Sequence, residues 1–307
     1  MSIAAIIVSY LPERESFISL LQNLIQQVDH VLVLDNSPAD HLAAQYFFDE
    51  SGIDATRSSF IRLNDNYGIA VALNVGIRKA MGLGVDFVLL SDQDSLPASD
   101  MVENLYRSYE GLYTQQVRVG AIGPTYTDLH TGLTYPFQVD LPGCFFYGHK
   151  AGSEESPLVE ALTLITSGTL IPMDVFEDVG LMREDFFIDQ VDIEWCHRAR
   201  WKGYRIFGSY RARMYQRMGE EKLDVWYLRW RRETAYKPLR IYYRIRNFIA
   251  LWKTPFIAWR WKVRGSWYSL GIIYTHVFFS KYSAETLKMA ALGLLDGIRG
   301  KMGCYRG

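Results

Sequence analysis

The chain has 307 residues, room for one large domain or two. Hydrophobic residues make up 49% and charged residues 22%, which excludes a disordered chain, a collagen-like repeat and a small disulfide scaffold. The net charge of −1 averages two unlike parts: residues 1–197 carry nine Lys and Arg against 28 Asp and Glu, and residues 198–307 carry 24 against six. An acidic front and a basic back suggest two jobs, with the back facing a polyanion or an anionic membrane.

In chain order, Ile3–Ser9 is a continuous apolar run, the pattern of a strand buried on both faces. Phe17, Leu20, Leu21, Leu24 and Val28 then recur at helical spacing. Val31–Leu34 is a second buried strand, ending in Asp35-Asn36-Ser37-Pro38, and Phe60–Leu63 is a third. A helix with Ile69, Leu73 and Ile77 on one face starts near Gly68, and Phe87–Leu90 is a fourth strand, ending in Ser91-Asp92-Gln93-Asp94. Strand–helix alternation with buried strands predicts an α/β fold: a mainly parallel sheet with helices on both faces. Ligands bind beyond the carboxyl ends of such strands, and polar clusters stand at three of them.

From Gly120 to about Gly208 the pattern is mixed. Val119–Pro124 reads as a short strand and turn, and 128–158 as loop. Leu162–Pro172 reads as a strand interrupted at Ser167-Gly168, and Val191–Trp201 as a helix. Beyond Leu223 the chain is basic and aromatic. This places a domain over 1–222, in two parts, 1–95 and 96–222. A helical C-terminal region follows over 223–307.

Cys144, Cys196 and Cys304 are widely spaced and form no CxxC pair, which fits reduced thiols. The start lacks a basic n-region and a small-residue cleavage site. The uncharged stretch Gly265–Ser280 is short for a membrane-spanning helix. The expected location is cytoplasmic, peripheral on the inner face of the cell membrane.

Three segments carry candidate chemistry. Asp92 and Asp94, at i and i+2 where a strand opens, can reach one hard divalent cation; a solvated loop capping the next helix is the alternative. Asp189, Asp192 and Glu194 lie among Phe186, Phe187 and Trp195. A carboxylate with apolar neighbours gains a raised pKa, which suits a general base; an acidic helix start is the alternative. Asn66 is a plausible N-cap for the helix after Gly68, and that helix's first turn can support a diphosphate. Asn74 interrupts its apolar face and needs a defined partner.

Together these segments resemble the inverting glycosyltransferases of family 2, which have the GT-A fold, and most of all the bacterial branch that uses dTDP-L-rhamnose. The matching residues are Ile6–Tyr10, Val33–Ser37, Asn66–Ala70 with Ala72-Leu73-Asn74, and Ser91–Asp94. They continue through Ser167-Gly168, Phe187-Ile188-Asp189, Val191–Cys196, Arg198-Ala199, Gly203-Tyr204, Tyr242-Tyr243-Arg244 and Arg246-Asn247.

The resemblance implies an inverting transferase acting in cell-surface polysaccharide synthesis of the O-antigen or capsule type. It also implies nucleotide-sugar binding in 1–95 and acceptor and catalytic functions in 96–222; Ser9, Tyr10, Asp35, Asn66, Gly68, Asn74 and Asp92 would bind the nucleotide sugar. Asp94, with Asp92, would hold Mg2+ or Mn2+ on its diphosphate. Asp192 would be the base, with Glu194 and Asp189 supporting it. Ser167, Gly168 and Arg198 would lie on the acceptor side, Arg198 orienting the acidic cluster. The acceptor would be a glycan or a polyprenyl-diphosphate-linked sugar. One departure stands out: where many relatives carry a metal-binding His, two residues before a hydrophobic-Gly pair, this chain has Gln216.

Interleaved Arg, Lys, Trp and Tyr in the C-terminal region fit an interfacial helix on anionic lipid. Packing against the acidic front is a second reading that need not exclude the first. No recognised nucleic-acid motif accompanies the charge, so no nucleic-acid partner is expected. Three alternatives to the rhamnosyl reading remain. One is a family 2 enzyme using another nucleotide sugar, of the UDP-galactose or UDP-glucose type. Another is a sugar-nucleotide pyrophosphorylase, for which Ser9-Tyr10-Leu11-Pro12 lacks the Gly-rich loop. The last is an inactive GT-A module serving as a membrane scaffold.

Overall fold

A computed structural model describes residues 1–129, 132–141, 147–216, 222–227 and 229–307. The strands of the first part are β1 (Ile3–Ser9), β2 (His30–Asp35), β3 (Ser58–Arg62), β4 (Phe87–Asp92), β5 (Ser95–Pro97) and β6 (Val119–Asp128). After them come β7 (Phe137–Val139), β8 (Gly148–Lys150), β9 (Leu158–Ala161), β10 (Thr169–Pro172) and β11 (Arg205–Gln216). Helices α1 (Arg14–Leu24), α2 (Ala43–Glu50), α3 (Ile69–Leu83), α4 (Met101–Tyr113), α5 (Met173–Val179) and α6 (Val191–Trp201) alternate with them. A hairpin, β12 (Lys222–Trp226) and β13 (Trp230–Thr234), leads to α7 (Pro238–Trp252), α8 (Trp259–Phe279) and α9 (Ser283–Arg299).

The central sheet runs β3-β2-β1-β4-β10-β6-β11-β5, with β9 also on β11. The β3-β2-β1-β4 half is parallel throughout. Beyond it, β10 is antiparallel to both neighbours, whereas β11 and β6 are parallel.

The apolar run in β1 follows from burial on both sides. Ile3, Ala5 and Ile7 pack with Phe17, Leu20, Leu21 and Leu24 of α1 and with Met101, Val102 and Leu105 of α4. Ala4 and Ile6 point the other way, against Ala72, Leu73 and Ile77 of α3. Successive strand residues face opposite sides, so each strand feeds two cores. Gly76 lets α3 approach: a Cβ there would lie 2.5 Å from Ile6 Cγ2.

The structure departs from the sequence reading in four places. The interrupted strand over Leu162–Pro172 is a strand only from Thr169, because Gly168 turns the chain at φ +76°. The strand at Val119 runs on to Asp128, since β11 continues to pair with it. The C-terminal region opens with the β12–β13 hairpin before its helices begin. Within the loop expected over 128–158, residues 130, 131 and 142–146, including Cys144, lie outside the described residues; the rest contains β7 and β8.

The two ends of the charge gradient are in contact. Phe248, Leu251, Ile257 and Trp261 belong to the same core as α3 and α6. Arg240 pairs with Asp189 at 3.1 Å and Arg260 with Asp140 at 3.3 Å. Among the described residues, no helix is long and apolar enough to cross a membrane.

Candidate active site

The ends of β1, β2 and β4, the start of α3 and the segment leading into α6 enclose a cleft of about 620 Å³. Tyr10, Asn66, Gly68, Asp92, Asp189 and Asp192 all line it. Residues separated by about 100 positions therefore meet at the carboxyl edge of the parallel strands.

Amide side chains organise the end of the cleft formed by β1, β2 and β4. Gln93 accepts from Tyr10 N at 2.7 Å and donates to Tyr10 O at 3.1 Å, joining the tips of β1 and β4. Asn36 accepts from Tyr67 N and donates to Asn66 Oδ1, which also accepts from Gly68 N. Asn36 and Gln93 sit inside the quoted motifs but were not singled out there; a polar amide at a buried strand's end was the available signal.

Gly68 has φ +86°, and a Cβ on it would sit 2.5 Å from Phe187 O. That carbonyl accepts from Ile69 N at 2.7 Å, so the start of α3 is docked on the Phe187 segment.

The segment itself is strained. Phe187, Asp189 and Gln190 have φ of 64°, 63° and 66°, a region that costs non-glycine residues energy. The buried Asn247 side chain holds it, its Nδ2 donating to Phe186 O, Ile188 O and Asp189 O at 2.8–2.9 Å. Arg246, also buried, donates to Phe186 O at 2.9 Å and to Asn247 Oδ1. The Phe187 ring stacks on Tyr243 with centroids 4.9 Å apart.

Burial dominates the electrostatics. It pushes the Asp92 carboxyl up to about 7; Asp94 and Asp192 add to the rise, and Arg240 and a hydrogen bond from Gln216 oppose it. Burial likewise pushes Asp192 up to about 6, with the Ile193 N–H opposing and Asp189 adding. Negative charge is therefore crowded where β4 ends. Such a site attracts a cation, and Asp192 can exchange a proton near neutral pH. Gln216, at the end of β11, also lines the cleft; residues 217–219 lie outside the described residues.

Other expected site residues stand behind this lining. Ser9 donates to Asp35 Oδ1 at 3.3 Å, and Asp35 is fully buried with Arg62 at 3.7 Å. Asn74 has its defined partner: its amide donates to Met182 O and accepts from Met182 N, and also donates to Glu184. Ser167 accepts from Asp92 N at 3.2 Å and contacts the Ser95 hydroxyl, bracing the β4 tip. Gly168 packs beneath it, where a Cβ would lie 2.5 Å from Pro124 Cγ. Glu194 is buried and paired with Arg198 at 2.8 Å. Arg198 also donates to Val179 O and Leu181 O, so this pair faces α5.

A second recess of about 350 Å³ adjoins the cleft, sharing Tyr126, Ile165, Asp192 and Ile193 with it and lined also by Gln138, His149, Thr163 and Tyr268. Asp192 borders both spaces.

The family described as "Glycosyl transferase family 2" matches residues 5–175. The chain belongs to glycosyl transferase family 2. Its GT-A fold and its class, a glycosyltransferase, follow. The "dTDP-rhamnosyl transferase RfbF" of Shigella flexneri is 29% identical over 98% of this chain and 97% of its own length. Two solved structures share the fold. The mannosyltransferase PcManGT of Pyrobaculum calidifontis, in complex with GDP-Man and Mn2+, matches with a TM-score of 0.56 at 16% identity, over 97% of this chain and 75% of that one. GalNAc-T7, with UDP, GalNAc and Mn2+, matches with a TM-score of 0.53 at 13% identity, over 70% of this chain and 43% of that one.

Proposed function

We propose that this glycosyltransferase moves L-rhamnose from dTDP-L-rhamnose, with inversion, to a hydroxyl of a glycan or polyprenyl-diphosphate-linked acceptor in cell-surface polysaccharide synthesis. The observation that carries the reading is that Asp192 borders both the cleft of Asp92 and the recess beyond it. The near full-length likeness to a dTDP-rhamnosyl transferase supports the donor.

In this mechanism the nucleotide sugar lies in the larger cleft, its base towards the Asn36–Asn66 network. The acceptor enters from the recess lined by Tyr126 and Tyr268. Asp192 takes the proton from the acceptor hydroxyl as that oxygen bonds to the anomeric carbon. The bond from that carbon to the diphosphate oxygen breaks on the opposite side, and dTDP leaves. A carboxyl held near pH 6 is basic enough for this work and still ionised at pH 7. Positioned base assistance is worth about 10²–10⁴-fold.

The residues present suit a divalent cation. Asp92 and Asp94 crowd two carboxylates together, and burial plus this repulsion raises Asp92 to about 7. Among the described residues no group of three or more His, Cys, Asp or Glu side chains forms a closed metal site. Mg2+ or Mn2+ shared between two carboxylates and substrate phosphates needs no such group. Asp92 and Asp94 would hold it, and it would neutralise charge on the leaving diphosphate. Gln216, bonded to Asp92, stands in the place expected of a His and offers a carbonyl oxygen.

The C-terminal helices support attachment to the inner face of the cell membrane. Trp267, Leu270 and Phe278 of α8 and Leu287, Leu294 and Ile298 of α9 are exposed, as are the cations Lys288, Arg299 and Lys301. Aromatic and aliphatic groups beside cations suit an anionic lipid surface.

A thermal-shift panel of dTDP-, UDP- and GDP-sugars with Mg2+ or Mn2+ tests the donor. Preference for dTDP-L-rhamnose supports the reading, and preference for a UDP- or GDP-sugar overturns it. Release of nucleoside diphosphate from the donor separates an enzyme from an inactive scaffold.

A further inference from the structure

We propose that Arg240 and Arg244 of α7 form a diphosphate-binding site at the junction of the donor cleft and the acceptor recess. The inference rests on the sugar-transfer reading and adds residues from the C-terminal region to the substrate-binding surface.

Arg240 and Arg244 are four residues apart, so they share one face of α7. Both line the cleft that holds Asp92 and Asp192. Arg240 is half exposed and spends part of its guanidinium on Asp189, at 3.1 and 3.4 Å. Arg244 is held differently. Its guanidinium stacks 5.1 Å from the Tyr236 ring and 5.3 Å from the Tyr268 ring, and donates to Tyr268 Oη at 3.4 Å. Among the described residues its buried Nε has no hydrogen-bond partner, while the rest of the guanidinium also bonds Tyr236.

A buried donor left unbonded costs free energy, and here it lies beside two tyrosine rings at the edge of an open cleft. Asp189 attracts both cations, but its arginine hydrogen bonds come from Arg240, so the Arg244 donor is not spent on that carboxylate. A planar guanidinium with a spare donor matches phosphate oxygens. Tyr268 lines the acceptor recess while Arg244 lines the donor cleft, so the guanidinium stands between the two spaces. The diphosphate chemistry therefore has two sources: the donor's leaving group, or the linkage of a lipid-bound acceptor.

The test uses the full chain with Mn2+. Calorimetry compares dTDP, UDP and GDP with their monophosphates and nucleosides on wild type, Arg240→Ala, Arg244→Ala and Arg244→Lys. The donor source predicts that Arg244→Ala weakens diphosphate binding by about tenfold or more, leaves the nucleoside within about threefold, and is partly rescued by Arg244→Lys. The acceptor source predicts unchanged diphosphate binding, with a raised KM for a diphosphate-linked acceptor and an unchanged KM for a phosphate-free one. Either result supports the site. Equal losses for diphosphate, monophosphate and nucleoside would overturn it, as would a variant of wild-type melting temperature with every affinity and both KM values unchanged. A wild type that binds UDP or GDP in place of dTDP overturns the donor assignment alone, since the β-phosphate increment still reads the arginines.

Discussion

The Asn247 side-chain amide lies 2.9 Å from the backbone carbonyl of Asp189, across 58 residues of sequence. Through this contact a C-terminal helix holds the left-handed segment beside the acidic cleft. The basic region is thus a support for the acidic site, whatever else its outer face does.

Asn247→Ala should therefore cost stability and turnover together. It strands three carbonyls that now share one amide, and losses of this type run to about 2–3 kcal/mol. Urea denaturation should show the lowered midpoint, and kcat should fall. An active, fully stable variant would mean that the segment holds itself.

Gly68→Ala probes the opposite edge of the same segment. The new Cβ meets Phe187 O, and the residue must keep φ +86°. We expect a clear drop in melting temperature and a loss of donor binding. A silent substitution would show that α3 can shift away from Phe187 freely.

Asp92→Asn should stabilise the free protein while damaging the loaded one. The folded-state pKa of Asp92 is about 7, above the ordinary value of 3.8. The folded state thus binds more protons between those limits, and the group's contribution to stability is lost as pH rises through that window. A neutral amide removes the penalty, which is on the order of a few kcal/mol at pH 7 and absent at pH 3. Denaturation at pH 7 and at low pH checks this, and donor binding should lose its dependence on added Mn2+. A variant less stable than wild type at pH 7 would contradict the crowding described at this site.

Flotation with anionic vesicles tests the outer face. Each cation near such a surface adds about 1 kcal/mol, so binding should fall steeply with salt. Replacing Trp267 and Leu270 with Ser should weaken it further. Equal retention on neutral vesicles in high salt would argue against the electrostatic part.

Much of this architecture could be read along the chain. The β1 run and the spacing of Phe17, Leu20, Leu21 and Leu24 carry a local signature of burial, as does Val191–Trp201. The Asp92 and Asp192 segments were legible as polar groups set against apolar ones. Helix α4 showed apolar spacing at Met101, Val102, Leu105 and Leu112 but no flanking motif, and went unread. Arg240 and Arg244 gave no local signal of facing a cleft. Their meaning depends on α7 docking against a segment more than 50 residues away, a contact that periodicity cannot express. Ser167, Glu194 and Arg198 illustrate the converse: they belong to matching motifs, yet their side chains brace the strand and helix that carry the cleft.

In the proposed mechanism Asp192 receives the acceptor's proton while the sugar's diphosphate departs past Asp92. Single-turnover rates of wild type and Asp192→Asn, beside donor affinity and a pH profile, test it most directly. The wild-type rate should fall below about pH 6 as Asp192 protonates. Asp192→Asn should be slower by about 10²–10⁴-fold, with donor affinity within about threefold. A variant that transfers sugar at the wild-type rate would contradict it.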